Sequence, residues 1–413
     1  MISGRNGRNG RPGRSGRRVH ALAIALLLVA GCGDLMTSAP EDGDLFDAPL
    51  PGLTREQQAT FVRGDEAFGQ AFSVEMGLGP LFNEVSCVAC HSGDGRGLPR
   101  NTLVRFSRGS DLAREEGGPQ LQTQAIPGAL PETLPQGVDF SRRLPPPVFG
   151  VGLIAAIPEE TILALADPDD ANGDGISGRA HWVVPPEYAP QGPLGGGNGR
   201  RLGRFSRKAQ VSSLIQQTSE AYHQDIGITT DFIPEENPNP QGGGSAPADL
   251  AADPELSATV VRDVVEYLQM LAPPAPGEET GTRGRGRELF DEVRCSGCHV
   301  AVLMTGPSPI AALANKPALL YSDLLLHDMG PELADNRPDG DASGSEWRTA
   351  PLWGLRLVPE FLDGQAFYLH DGRARTLDEA IRTHGGEAAA SRDAFAAMPP
   401  EDRDALLDFV ESR

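Results

Sequence analysis

The chain has 413 residues, enough for two domains, and carries 36 basic and 57 acidic side chains for a net charge of −21 at pH 7. This acidic excess argues against binding to nucleic acid or to an anionic membrane surface and favours a protein that stays soluble outside the cytoplasm. With 50 glycines, 36 prolines and few strand-like segments, the sequence predicts a mainly α fold with long loops.

The first 31 residues have the pattern of an export signal. Six arginines and no acid precede a short apolar run, Ala21 to Ala30, which is too short to span a bilayer. Val29-Ala30-Gly31-Cys32 resembles the bacterial lipobox, in which cleavage leaves the cysteine as a lipid-modified N-terminus. An ordinary signal peptide with a stray cysteine is the alternative. Without the six arginines, the balance is 30 basic to 57 acidic residues.

These features predict a periplasm-facing protein of the cell envelope whose sole membrane contact is the lipid on Cys32. Gly33 rather than aspartate follows the cysteine, which by resemblance to bacterial lipoproteins favours the outer membrane. Residues 32–54 are rich in proline and acids and predict a flexible tether.

Two Cys-x-x-Cys-His motifs follow the tether. Two thiols at this spacing can reach the two vinyl groups of one porphyrin, and the adjacent histidine can bind its iron. Each motif therefore predicts a covalently bound c-type haem, held by Cys87, Cys90 and proximal His91 (haem 1) or by Cys295, Cys298 and proximal His299 (haem 2). A zinc knuckle, a redox dithiol and a disulfide are the alternatives. None explains the histidine after each pair or the shared lead-in, Leu-Phe-Asn/Asp-Glu-Val.

The repeated motif predicts two tandem cytochrome c-like domains, residues 55–275 and 287–413, joined by a linker at 276–286. Each domain would run from a helix through its motif and long loops to a terminal helix. Apolar residues recur at helical spacing from Glu255 to Leu271, and a second terminal helix begins at Pro400.

Residues 170–175 (DANGDG) place oxygen-bearing side chains at alternate positions before a glycine, as the first half of a calcium loop does. The closing glutamate of an EF-hand is absent, because its position falls on His181. Two interpretations stay open: a calcium ion bound through Asp170, Asn172 and Asp174, or a metal-free turn.

Four segments of the chain resemble the bacterial di-haem oxidoreductases, a peroxidase-like group once called thiol oxidoreductases and related to the di-haem cytochrome c peroxidases: residues 87–97, 143–178, 346–355 and 370–387. The resemblance spans nearly all of residues 55–413. It departs at 203–209 (GRFSRKA), where we expect an aromatic residue in place of Arg207. The resemblance implies an oxidoreductase that reduces hydrogen peroxide with electrons from a small donor, a cytochrome or a cupredoxin-like protein, and that holds calcium between its domains.

The resemblance also implies an iron ligand for haem 2. In the di-haem peroxidases a methionine ligates the C-terminal haem, and the matching residue here is His384. The implied His299/His384 pair would give a lower reduction potential than a His/Met haem. The alternative is that His327 or Met329 binds the iron and that His384 contacts a propionate.

Haem 1 has no histidine or methionine soon after His91, and the distal histidine of the peroxidase group has no counterpart. We therefore expect haem 1 to be five-coordinate or water-bound, and hence reactive. Peroxide cleavage needs a group that moves a proton between the two oxygens. Glu159 and Glu160 are the candidates, with Arg142 or Arg143 to polarise the peroxide. Both acids could instead simply favour the start of a helix.

Trp347 or Trp353 could relay electrons between the haems, or could only pack against them. Two other functions stay open. Six-coordinate iron in both haems would make the protein an electron carrier, and an open haem 1 excludes this. Oxidation of a protein or organic substrate is the second, and donor-dependent peroxide turnover without protein oxidation would argue against it.

Overall fold

The computed structural model describes residues 45–95, 97–190, 197–242, 249–362 and 364–413. The predicted signal, Cys32 and most of the predicted tether lie outside these residues. Within them, helices and a few very short strands alternate with long loops, which confirms the predicted mainly α class. No helix in these ranges combines the length and the apolar character needed to cross a membrane.

Helices make up most of the regular structure. The described residues form α1 (Arg55–Gly69), α2 (Cys87–Cys90), α3 (Val151–Ala156), α4 (Glu159–Leu163), α5 (Leu214–Ala221), α6 (Ala258–Met270), α7 (Gly281–Glu292), α8 (Val358–Phe361), α9 (Leu377–Thr383), α10 (Ala389–Ala397) and α11 (Pro400–Glu411). A π-helical turn, Tyr222–Ile226, continues α5. The two predicted terminal helices are α6, slightly shorter than expected, and α11, which begins at Pro400.

The strands form two-stranded antiparallel pairs that connect loops to each other. They are too short to form a core. The pairs are β1 (Leu81–Phe82) with β3 (Gln124–Ala125), β2 (Leu103–Ser107) with β4 (Asp139–Arg143), β5 (Trp182–Val183) with β6 (Arg201–Leu202), β7 (Leu303–Met304) with β8 (Pro317–Ala318), and β9 (Leu326–Asp328) with β10 (Glu346–Arg348). In the last pair Trp347 lies opposite His327.

Two helix pairs, α1 with α6 and α7 with α11, approach each other through glycine. A Cβ on Gly64 would lie 2.5 Å from the Cβ of Tyr267, and a Cβ on Gly286 would lie 2.6 Å from the Cβ of Phe409. Because glycine has no side chain at these points, the backbones can pack closely. The same crossing is therefore built twice.

One turn after each of these glycines, a phenylalanine connects the helix pair to the nearby motif. The ring of Phe68 lies 5.6 Å from that of Tyr267 and 6.2 Å from that of His91. The ring of Phe290 lies 6.3 Å from that of His299. The structural repeat is thus Gly-x-x-x-Phe on the first helix of each pair.

The repeated lead-in Leu-Phe-Asn/Asp-Glu-Val does not have the same structure in its two copies. Its first copy, Leu81–Phe82, forms β1, whereas Leu289 and Phe290 lie within α7. The two copies share letters without sharing a conformation, because an extra segment separates α1 from the first motif.

The buried apolar residues form two main clusters that overlap along the chain. One gathers residues between 46 and 357, and the other gathers residues between 289 and 410. The described residues from 45 to 413 lie in one compact unit. The division into domains at 276–286 stays a prediction.

Candidate functional site

Both Cys-x-x-Cys-His motifs fold into a short helical turn that presents the histidine beside the two thiols. In the first motif the His91 N–H donates to the Cys87 carbonyl over 2.9 Å, and in the second the His299 N–H donates to the Cys295 carbonyl over 2.9 Å. Each motif lines a cavity. We call these the Cys87 cavity and the Cys295 cavity.

The Cys295 cavity has a volume of about 230 Å³ and is lined by Cys295, Cys298 and His299. Helices α7, α9 and α11 contribute part of its apolar wall, including Phe290, Leu377, Ala380, Leu406 and Val410. It is thus a largely apolar pocket with two thiols and an imidazole at one side.

Four histidines line the Cys295 cavity: His299, His327, His370 and His384. The Nδ1 of His384 lies 2.8 Å from the Ala380 carbonyl, and the Nδ1 of His299 lies 2.9 Å from the Tyr321 carbonyl. A carbonyl accepts from N–H, so Nε2 of each ring keeps its lone pair. Burial lowers the pKa of His299 to about 4 and also lowers the pKa of His384. His299 and His384 therefore offer two neutral imidazoles to a metal, whereas the His370 ring stacks on Trp347.

His327, the alternative ligand, has both ring nitrogens engaged. Its Nε2 lies 2.8 Å from an Asp323 oxygen and its Nδ1 2.8 Å from a Glu387 oxygen. Burial lowers the pKa of His327, but these hydrogen bonds outweigh burial and raise the pKa to about 12. An imidazolium held by two carboxylates has no lone pair to give. Met329 also lines the cavity, so ligation by His384 stays a prediction, favoured by its geometry.

The Cys87 cavity has a volume of about 220 Å³ and is lined by Cys87, Cys90 and His91. Among the described residues, His91 is the sole histidine or methionine in its lining. His181 and His223 bind elsewhere, through the carbonyls of Lys208 and Glu235. Burial lowers the pKa of His91 to about 4. This cavity thus offers one imidazole, whereas the Cys295 cavity offers two.

One carboxyl group lines the Cys87 cavity within the described part of the chain, that of Asp225. Asp225 lies on the π-helical turn that continues α5, and its side chain accepts a hydrogen bond from the Gln120 amide. Burial raises the pKa of Asp225 to about 6. The sequence prediction missed this residue, because a π-helical turn leaves no periodic signal. Such turns often occur at functional sites.

The predicted acids Glu159 and Glu160 do not line the Cys87 cavity. Glu159 begins α4 and lies 3.7 Å from the Arg201 guanidinium, while Glu160 is exposed. The structure does not bring these two side chains to the cavity where they were expected, and their position suits a helix start. Arg143 does line the cavity, where its Nη1 lies 2.7 Å from Asp339.

The predicted calcium loop folds onto its own backbone. Asp170 accepts from the N–H groups of Asp174 and Gly175, and Asn172 also accepts from the N–H of Asp174. The Asp174 carboxylate lies 2.7 Å from the Arg294 guanidinium, just before the second motif. The loop therefore forms an ion pair with the residue that precedes the second motif. Calcium binding by Asp170, Asn172 and Asp174 stays a prediction.

The two candidate tryptophans lie at different cavities. Trp353 lines the Cys87 cavity and Trp347 lines the Cys295 cavity. The Trp347 ring stacks on the His370 ring with 3.6 Å between the centroids, and its Nε1–H donates to the Leu333 carbonyl. Each ring thus packs at one cavity rather than between the two.

The family model described as "Di-haem oxidoreductase, putative peroxidase" matches residues 128–413, which is more than half of the chain. The chain belongs to this family. The matched region includes the second motif and begins after the first. No curated relative of this chain is found.

Two solved structures show weak likeness to this di-haem oxidoreductase. Hydrazine synthase of Kuenenia stuttgartiensis, pressurised with xenon, aligns over 99% of this chain and 100% of that chain, with 13% identity and a TM-score of 0.37. A MauG-like protein associated with microbial copper homeostasis aligns over 41% of this chain and 55% of that chain, with 20% identity and a TM-score of 0.25. At these TM-scores neither likeness carries an argument.

The family implies haem cofactors, and both cavities fit that group. Each has two thiols, an imidazole held neutral by burial, and apolar walls suited to a porphyrin. Each also has cations that suit propionates. Arginines 105, 143, 204, 207 and 348 line the Cys87 cavity, and arginines 207, 294, 348 and 392 line the Cys295 cavity.

Proposed function

We propose that this di-haem oxidoreductase reduces hydrogen peroxide to water in the cell envelope, with both haems held covalently by their cysteine pairs. The observation that carries the proposal is the unequal supply of ligands. The Cys295 cavity offers His299 and His384, whereas the Cys87 cavity offers His91. A saturated iron transfers electrons, and an iron with an open position can bind peroxide. Haem 2 is then the electron relay and haem 1 the reactive site.

Asp225 is the proposed proton carrier in the Cys87 cavity, in place of Glu159. The haem supplies the electrons and the site where peroxide binds. With a pKa near 6, the Asp225 carboxylate can accept a proton from one peroxide oxygen and return it to the departing oxygen. The Gln120 amide, hydrogen-bonded to Asp225, holds that carboxylate in place.

The proposed setting extends the sequence predictions. Processing at Cys32 would leave a lipid anchor on the outer membrane, and the acidic surface would attract a small donor carrying basic residues, a cytochrome or a cupredoxin-like protein. Fractionation of cells that express the wild type and Cys32→Ser tests the anchor. The wild type should sediment with outer membranes and the variant should be released into the periplasm. Equal sedimentation of both would contradict the anchor.

Peroxide-dependent oxidation of a reduced small c-type cytochrome tests the reaction and separates the two acid assignments. Asp225→Asn should lower kcat by at least about 100-fold, the usual contribution of a positioned acid–base group. Glu159→Gln is the matched control and should leave kcat unchanged, with the haem spectra of both variants intact. Loss of activity in Glu159→Gln but not in Asp225→Asn would contradict the role of Asp225. Absence of turnover in the wild type would contradict the peroxidase proposal.

A further inference from the structure

The two cavities share one wall. Among the described residues, four line both cavities: Arg207, Arg348, Ala350 and Pro351. Neither tryptophan belongs to this set. Groups bound in the two cavities would therefore face each other across this shared wall. The polar side chains of the wall are the guanidiniums of Arg207 and Arg348.

Main-chain contacts fix these two arginines to each other. The Arg348 N–H donates to the Arg207 carbonyl over 3.0 Å, and Arg348 Nε donates to the Ser206 carbonyl over 3.0 Å. Arg207 donates from Nε and Nη2 to the Leu144 carbonyl over 3.2 and 2.7 Å. Each guanidinium is thus oriented by a carbonyl at one edge.

The carbonyls that orient the Arg348 guanidinium do not neutralise its charge. Burial lowers the pKa of Arg348 to about 10, although the charge of Asp323 opposes this. A buried cation is stabilised by an anion within reach, and a planar guanidinium matches a carboxylate through two parallel hydrogen bonds. Each haem carries two propionate carboxylates, which are the anions that these cavities would receive.

Arg207 stands where the family resemblance predicts an aromatic residue. An aromatic ring would offer a π system between the two cavities, but no charge. A guanidinium contributes a charge that acts on both cavities, because it lines both. A cation near a haem favours the reduced form, since reduction removes one positive charge from the iron.

We propose that Arg207 and Arg348 form a shared cationic wall that binds a propionate of each haem and raises the reduction potentials of both haems together. The inference rests on the di-haem part of the proposed function and not on peroxide turnover. It makes Arg207 a positioning residue of both haems.

Spectroelectrochemical titration of the mature holoprotein tests this. Arg207→Gln should lower both potentials, each by about a tenfold change in the one-electron reduction equilibrium, which is about 59 mV. Arg294→Gln is the matched control, because Arg294 lines the Cys295 cavity alone and should affect haem 2 alone. Arg207→Lys keeps the charge and should retain most of the wild-type potential at both haems.

Three results would overturn the proposal: a shift at one haem only in Arg207→Gln, a shift at neither haem, or an Arg207→Lys variant that falls as far as the glutamine variant. Haem content and optical spectra of each variant establish that it has folded with both haems. A protein that never turns over peroxide could still show the predicted paired shift, so failure of this inference and failure of the peroxidase proposal are distinguishable.

Discussion

The two Cys-x-x-Cys-His sites share one helix arrangement and differ in the side chains that line their cavities. In both, a glycine-mediated helix crossing places a phenylalanine beside the motif histidine. At the Cys295 cavity, the end of α9 then presents His384. At the Cys87 cavity, the π-helical turn after α5 presents Asp225. In the proposed function, the side chain that a later helix presents makes one site the electron relay and the other the reactive site.

The two sites also differ in the length of chain between the phenylalanine and the motif. Phe290 is followed almost at once by Cys295, whereas a longer segment containing the turn Val74–Met76 and β1 separates Phe68 from Cys87. Of this added segment, Ser86 lines the Cys87 cavity, and the described lining of that cavity contains no histidine or methionine besides His91.

The largest effect on stability is expected from alanine substitutions at Gly64 and Gly286, the glycines at the two helix crossings. Gly64→Ala places a Cβ 2.3 Å from the Asp263 carbonyl oxygen, and Gly286→Ala places one 2.0 Å from the Ala405 carbonyl oxygen. Such overpacking should lower the free energy of unfolding by about 1–3 kcal/mol. Gly69→Ala, whose Cβ would meet open space, is the control and should not destabilise. Denaturant unfolding with haem spectra measures this, and equal behaviour of the three variants would contradict the crossing model.

Replacing His384 should change the reduction potential of haem 2 and leave that of haem 1 unchanged. His384→Met should raise the reduction potential of haem 2 by at least a tenfold change in its equilibrium, about 59 mV, because methionine favours ferrous iron. Haem 1 should keep its potential. Redox titration measures both, with Met329→Leu as the control that should change neither. A shift in Met329→Leu but not in His384→Met would identify Met329 as the ligand.

The pH dependence of kcat/KM for peroxide should show whether Asp225 acts as the base at the proposed reactive site. Because burial raises the pKa of Asp225 to about 6, the group is protonated below that pH and ionised above it. If the carboxylate accepts the peroxide proton, kcat/KM for peroxide should be flat above about pH 7 and should fall about tenfold per unit well below pH 6. A flat profile from pH 5 to pH 8 in the wild type would exclude this role.

The smallest effect concerns the loop that braces the second motif. The partly exposed Asp174–Arg294 pair should contribute no more than about 1 kcal/mol, so Asp174→Ala should lower Tm only slightly. If the loop binds calcium as predicted, a chelator should also lower the Tm of the wild type but not of the variant. An identical wild-type Tm with and without chelator would show that the loop is a metal-free turn.

Sequence patterns predicted what depends on local chemistry. The two motifs, the helix beginning at Pro400 and the candidate His384 follow from spacing, proline and family resemblance, and the structure places His384 in the cavity of the second motif. Asp225 and the shared wall could not be predicted in this way. They depend on a π-helical turn and on contacts between Arg207 and Arg348, which are far apart in the chain.

The same limit explains the misleading lead-in. Leu81–Phe82 and the matching pair in α7 read alike, but the surrounding chain makes one a strand and the other a helix, so short apolar pairs do not set their own conformation. Glu159 had the residue type expected of a catalytic acid, but its place at the start of α4 takes it away from the cavity.

Electron paramagnetic resonance distinguishes an open haem 1 from a six-coordinate haem 1. The mature protein, produced with haem-maturation machinery, is measured when oxidised and again when half-reduced. We expect a high-spin ferric signal from haem 1 beside a low-spin signal from a bis-histidine haem 2. Two low-spin signals that persist on half-reduction would contradict it and would leave an electron carrier.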